Sequence, residues 1–291
     1  MFTTNHFIWL AICAVFIGVL LFCSVKFKFK MKTSIYIMAG ISLASELVKT
    51  FAHFIWLDPG DHSMGMVLKA KSLPFHLCSL LIFLMFYLAL TKNKERSQKV
   101  INFYVPAALL GGVIALIMAT SGVSFTAPQP YQSFLYHAGL VWFALYALIT
   151  KQVDMGWKNY VTTVVVLLCL VFSMIWVNSA LQQYETNFFF IVKPPADNLP
   201  LLNLNHGWYA YFFSLLFVSG LCVTLLYLPY MIIEAVKKDK AKKLALQEGE
   251  VAANNEEVQS APAEVEIEEK ANTVEIKEEI AKPKRTRKKK E

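Results

Sequence analysis

Glu46, Lys49 and His53 lie inside an apolar stretch, residues 33–56, that is long enough to cross a bilayer. At 100° per residue they share one face with Ser42 and Ser45, all within about 60° of a single direction. A charge at mid-membrane costs about 2.5 to 3.5 kcal/mol, and each Leu, Ile, Phe or Val returns only about 0.3 to 0.6. The stripe must therefore face protein or water rather than lipid. Glu46 and Lys49 are neighbours at i, i+3, and Lys49 and His53 at i, i+4, so a relay of carboxylate, ammonium and imidazole can run along the helix. Two readings stand: an internal ion pair that locks this helix to its neighbours, and a poised acid/base or headgroup-binding charge.

The elements that must position this stripe are legible in the hydropathy. The chain is 56% hydrophobic with a mean hydropathy of +0.46, a membrane composition. Apolar spans are read at 6–25, 33–56, 74–91, 101–120, 131–150, 160–181 and 207–233, which predicts an all-α membrane protein built as a seven-helix bundle. Lysines and arginines cluster in 26–32, 92–99, 151–160 and from Lys237 onward, whereas the alternate connections hold only Lys69, Lys71 and Lys193. By the positive-inside rule the N-terminus is outside and the C-terminus cytoplasmic. The first span lacks a preceding basic region and reads as an uncleaved anchor. All five cysteines fall within spans, without CxxC or Cys/His zinc spacing, so disulfides are not expected.

With that orientation all six histidines map to the outer half: His6, His53, His62, His76, His137 and His206. Singly each reads as an interfacial or hydrogen-bonded residue; together they point to an outward-facing polar site. In the segment Ser72–Ser79, Ser72 can cap a helix whose first turn takes Pro74, holding His76 near the outer mouth with Ser79 one turn deeper on nearly the same face. Cys78 would then point away from His76, and an inert buried thiol is the plainer reading of it. No metal site exists within one helix, and no cofactor is expected.

The membrane domain is expected to span residues 1–236. Residues 237–291 are rich in Ala, Glu, Lys and Val and end in a basic run, Lys282–Lys290, so they read as a largely disordered cytoplasmic tail. Its basic end could touch anionic lipid or nucleic acid. Of the outer segments, 57–73 reads as a turn-rich loop, and 182–206, with three phenylalanines at 188–190, reads as packing over the bundle or dipping into the interface.

Two stretches resemble a known family. Residues 73–79, LPFHLCS, are similar to the Pro-x-His-x-Cys signature of the YwaF-like bacterial integral membrane proteins. The run from Asn187 through Lys193 and Pro194 to Gly207, Trp208 and Tyr209 resembles that family's second signature, and Glu46 and His137 also fit. The resemblance covers about residues 5–235 and implies kinship with the eukaryotic transmembrane protein 164, an ether-phospholipid acyltransferase thought to depend on a cysteine and a histidine near this motif. His76 matches that histidine; the cysteine's counterpart is either Cys78 or position 75, where this chain has Phe75.

The resulting expectation is a membrane enzyme acting on a lipid or an acyl-lipid substrate, with His76, Glu46, Lys49 and His137 as its catalytic set. His53, Ser79, Asn187, Lys193 and Trp208 would contact the substrate. The alternatives are a transporter, channel or ligand-binding receptor using the Glu46/Lys49/His53 stripe, and a passive scaffold whose tail recruits partners.

Overall fold

The computed structural model describes residues 2–52, 54–58, 63–66, 70–196 and 199–260, with side chains described outside 53–69 and 249–260. Among these residues the chain forms seven α-helices, and each coincides with one span read from hydropathy: α1 Thr4–Lys26, α2 Met31–Phe51, α3 Leu77–Leu90, α4 Lys94–Met118, α5 Pro128–Ile149, α6 Trp157–Ala180 and α7 Gly207–Ser260. Five of them, α1, α4, α5, α6 and the described part of α7, are long and apolar enough to cross a membrane. The other two differ for physical reasons: α3 is apolar but has only 14 residues, and α2 is interrupted by Glu46 and Lys49.

The second span ends earlier than hydropathy indicates. α2 stops at Phe51, and Phe54–Asp58 (β1) pairs antiparallel with Ser63–Met66 (β2) in a two-stranded hairpin where a loop was expected. Phe, Ile and Trp favour extended backbone, and the strands flank Pro59 and Gly60, which favour turns. His53 and His62 lie outside the described residues.

Helix ends are set by local chemistry. Thr3 caps α1 by accepting from the His6 amide, and Asn93 caps α4 by accepting from Arg96 at 3.0 Å. Pro128 opens α5, where a missing N–H costs nothing.

α5 is the central helix and packs against α1, α2 and α4, while α3 fills the angle between α2 and α4. Met38, Leu81, Met85, Tyr104, Trp142 and Phe143 form the fully buried centre of this packing. Three glycines let the backbones close up. A Cβ on Gly139 would stand 3.2 Å from Ile41, one on Gly112 would stand 2.8 Å from Val141, and one on Gly111 would stand 3.3 Å from the Cys78 sulfur. Trp142 donates to Ser24 at 3.1 Å and the Tyr146 hydroxyl donates to the Phe29 carbonyl, which pins the α1–α2 turn onto α5.

The chain divides into two units, Met1–Ile233 and Glu234–Glu291. In the second, α7 continues with the i, i+4 ion pairs Glu234–Lys238 and Asp239–Lys243 on its surface. The tail expected to be largely disordered, 237–291, is helical as far as Ser260, and its remainder, with the basic run expected to meet anionic lipid or nucleic acid, lies outside the described residues.

Candidate functional site

The polar stripe of α2 turns toward α5. Lys49 Nζ sits 2.7 Å from Glu46 Oε2 and 2.8 Å from Oε1, and Gln132 on α5 donates to Ser45 Oγ at 2.6 Å. Ser42 is fully buried beside Tyr136, with its hydroxyl outside hydrogen-bonding geometry. The stripe thus avoids lipid by burying its small hydroxyls against α5, as the cost of intramembrane polarity requires.

The start of α3 differs from the sequence reading. Ala70–Ser72 form a single 3-10 turn, and the α-helix begins only at Leu77, with His76 as its N-cap residue. Pro74 has no amide to donate and holds the residue before it away from helical backbone. His76 is therefore not on the helix, and the face-by-face relation expected among His76, Cys78 and Ser79 does not apply. Leu80 is the first residue to donate within this helix, to the His76 carbonyl at 3.0 Å. The amides of Leu77, Cys78 and Ser79 precede that bond and mark the positive end of the helix dipole.

Around that helix end the structure gathers residues from four helices. The Tyr136 hydroxyl donates to the Cys78 carbonyl at 2.7 Å, tying α5 to the first turn of α3. Lys49 is near enough to His76 to act on it electrostatically, as is His76 on His137, and Glu46 on Tyr136. Tyr104 on α4 is fully buried, stands in the same neighbourhood as Cys78 and Tyr136, and its hydroxyl has no hydrogen-bond partner among the described residues. His137 Nδ1 lies 2.6 Å from the Ser133 carbonyl. That contact assigns the proton to Nδ1 and leaves Nε2 with a free lone pair. The ring nitrogens of His76 make no hydrogen bond among the described residues. Its ring instead meets Phe188 edge-on at 5.1 Å and Phe190 at 5.8 Å.

Of the remaining residues expected at the site, Ser79 belongs to that helix end and the others fall elsewhere. Ser79 is half-buried in the first turn of α3. Asn187 organises its own loop, accepting from the amides of Val192 and Lys193 and donating to the Lys193 carbonyl at 2.8 Å. Lys193 is exposed. Trp208 donates to the Ile191 carbonyl at 2.9 Å and stacks on Phe212. These three residues shape the segment that covers His76. His6 also stands apart: its Nε2 meets the Leu116 carbonyl at 2.9 Å and its Nδ1 the Phe2 amide at 3.3 Å, so both nitrogens serve packing. His206 is exposed.

Gln132, Tyr136, Tyr104 and Asn178 went unrecognised in the sequence. An amide within the apolar run that follows Thr163 in α6 was the available signal for Asn178. All five cysteines are free thiols, and no group of three His, Cys, Asp or Glu able to hold a metal occurs among the described residues.

Several long apolar helices around a buried polar cluster define a multi-pass α-helical membrane protein. Within that class the chain belongs to the TMEM164 family, whose model matches residues 1–227. No curated protein and no solved structure matches it.

Proposed function

We propose that this chain is a membrane enzyme that transfers an acyl group between lipids. The observation that carries this reading is the N-terminus of α3, where His76 occupies the N-cap position, Tyr136 donates to the Cys78 carbonyl, and Lys49 and His137 lie within electrostatic reach of His76. The kinship with an ether-phospholipid acyltransferase read from the LPFHLCS motif points the same way.

The proposal includes seven crossings with the N-terminus outside. The basic residues of 26–32, 92–99 and 151–160, which fall at alternate connections between successive helices, support it. In that arrangement α3 supplies about 21 Å of a core about 30 Å thick. The irregular segment ahead of it then lies at membrane depth, which is tolerated where backbone is covered by protein or lines a site. His76 would be reached from the outer leaflet.

In this reading the acceptor lipid's hydroxyl gives its proton to an imidazole as its oxygen bonds to the acyl carbonyl carbon. His137 Nε2 and His76 are the two bases at hand. The oxyanion is stabilised by the positive end of α3 and by Lys49. Collapse breaks the donor's ester bond, and the departing oxygen takes the proton back from the imidazole. Cys78 is not needed as a nucleophile: its sulfur packs toward Gly111, and no hydrogen bond joins it to either histidine among the described residues.

The test pairs a deletion strain with purified protein in mixed micelles. Isotope-labelled acyl chains should move from a diacyl phospholipid to a lysophospholipid, His76→Ala and His137→Ala should each abolish transfer, and Cys78→Ala should retain it. An unchanged lipid profile after deletion, together with no transfer in vitro, defeats the proposal.

A further inference from the structure

Asn178 is a side-chain amide in the apolar outer half of helix α6, and it is only 5% exposed. A buried amide is costly unless each of its groups is paired, and here each one is. Nδ2 donates to the Met174 carbonyl at 2.9 Å and to the Phe188 carbonyl at 3.1 Å, while Oδ1 accepts from the Phe188 amide at 2.8 Å. Two of the three bonds clamp the backbone of one residue at both its donor and its acceptor, which needs a side chain that offers both.

The clamped residue is the one that meets the site. Phe188 is fully buried, and its ring stands edge-on to both Phe75 and His76. The next two residues, Phe189 and Phe190, adopt φ of 57° and 55°, a left-handed backbone that bulky side chains rarely take and that persists only where the surroundings enforce it. The enforcement comes from α7: the Tyr211 hydroxyl donates to the Phe190 carbonyl and Trp208 to that of Ile191. Phe190 then contributes the second ring against His76.

We infer that Asn178 is a positioning residue, holding Phe188 against His76 so that the imidazole keeps one orientation toward its substrate. Its role in catalysis rests on the acyl-transfer reading. Its role in shielding His76 does not.

The experiment uses the full chain in micelles with three variants: Asn178→Asp keeps the shape but loses both donors, Asn178→Ala removes the clamp, and Phe188→Leu keeps apolar volume without the ring. Carbethoxylation of each histidine by diethyl pyrocarbonate is followed by peptide mass spectrometry. Exposed His206 serves as the reagent control, and buried His6 reports that the fold is intact. Transfer from labelled phosphatidylcholine to lysophosphatidylethanolamine gives kcat and KM. His76 modification should rise about tenfold in the variants that keep His6 protected, with kcat falling by about 10- to 100-fold and KM nearly unchanged, as misorientation of a reacting group demands. Unchanged His76 modification in those variants overturns the inference, as does a rise that leaves kcat intact. If the wild-type protein transfers no acyl chain, the enzyme reading fails and the modification rates alone decide whether Asn178 shields His76.

Discussion

The Glu46–Lys49 pair gives the sharpest quantitative test, because its two readings part under a double-mutant cycle. Its oxygens and nitrogen lie 2.7 to 2.8 Å apart, with the Lys49 side chain 21% and the Glu46 side chain 32% exposed. Removing Lys49 takes the paired ammonium from the Glu46 carboxylate within an apolar span, and removing Glu46 takes the carboxylate from Lys49; a charge at the centre of a span costs up to about 2.5 to 3.5 kcal/mol. Here the pair stands in the last two turns of α2 and is partly open, so each of Glu46→Gln and Lys49→Met should cost about 1.5 to 3 kcal/mol. The double variant removes both charges and should lie within about 1 kcal/mol of the parent, giving a coupling energy of at least about 2 kcal/mol. Stability is read from dodecyl sulfate titration in mixed micelles by tryptophan fluorescence, and acyl transfer is measured on the same samples. Single variants whose costs add in the double, with coupling below about 0.5 kcal/mol, refute the claim that the two charges are bound together. A stable double variant that has lost transfer makes the pair part of the chemistry. One that retains transfer makes it a packing device and removes both residues from the proposed site.

Two further predictions concern packing. Gly112→Ala should lower stability by about 1 to 2 kcal/mol, since its methyl would stand 2.8 Å from Val141 and 3.1 Å from the His137 carbonyl. Gly40→Ala and Gly220→Ala, with nothing within 4 Å, should raise it by about 0.5 to 1 kcal/mol, and equal effects at all three sites would contradict the close approach of α4 and α5. Tyr104→Phe should leave stability unchanged or raise it by up to about 1 to 3 kcal/mol, because a buried hydroxyl with no hydrogen-bond partner among the described residues is removed; a loss above about 1 kcal/mol in the same titration shows that the hydroxyl is bonded.

Hydropathy located each of the described α-helices, because twenty apolar residues in a row have few other fates. It misjudged ends where polarity and backbone chemistry compete. α2 yields to a hairpin at Phe54 although the apolar run continues to Trp56. α3 starts after Pro74 rather than on it, so a helical wheel could not place His76. The stripe on α2 was legible because charge in an apolar helix is rare, and its i, i+3 pairing followed from spacing alone. Its partners were not, because Gln132 and Tyr136 lie on a helix whose rotation about its axis depends on the contacts of Gly112 and Gly139 with its neighbours. Periodicity fixes a helix's faces and leaves open which neighbour each face meets.

The histidines show what that missing information decides. His6, His76 and His137 each read as lying near the start of a span and looked equivalent in sequence, whereas in the structure His137 lies well inside α5, which begins at Pro128. His6 spends both nitrogens on backbone groups, at Leu116 and Phe2, and has nothing left to offer a substrate. His137 spends one, on Ser133, which fixes its tautomer and frees the other. Among the described residues His76 spends neither, and its ring packs against those of Phe188 and Phe190. Hydrogen-bond satisfaction therefore ranks the three for chemistry where spacing could not. A ring packed against aromatic rings keeps both nitrogens available but depends on whatever fixes those rings. The dependence runs through Phe188 to the Asn178 amide on α6, a residue that a search for acids, bases and nucleophiles passes over.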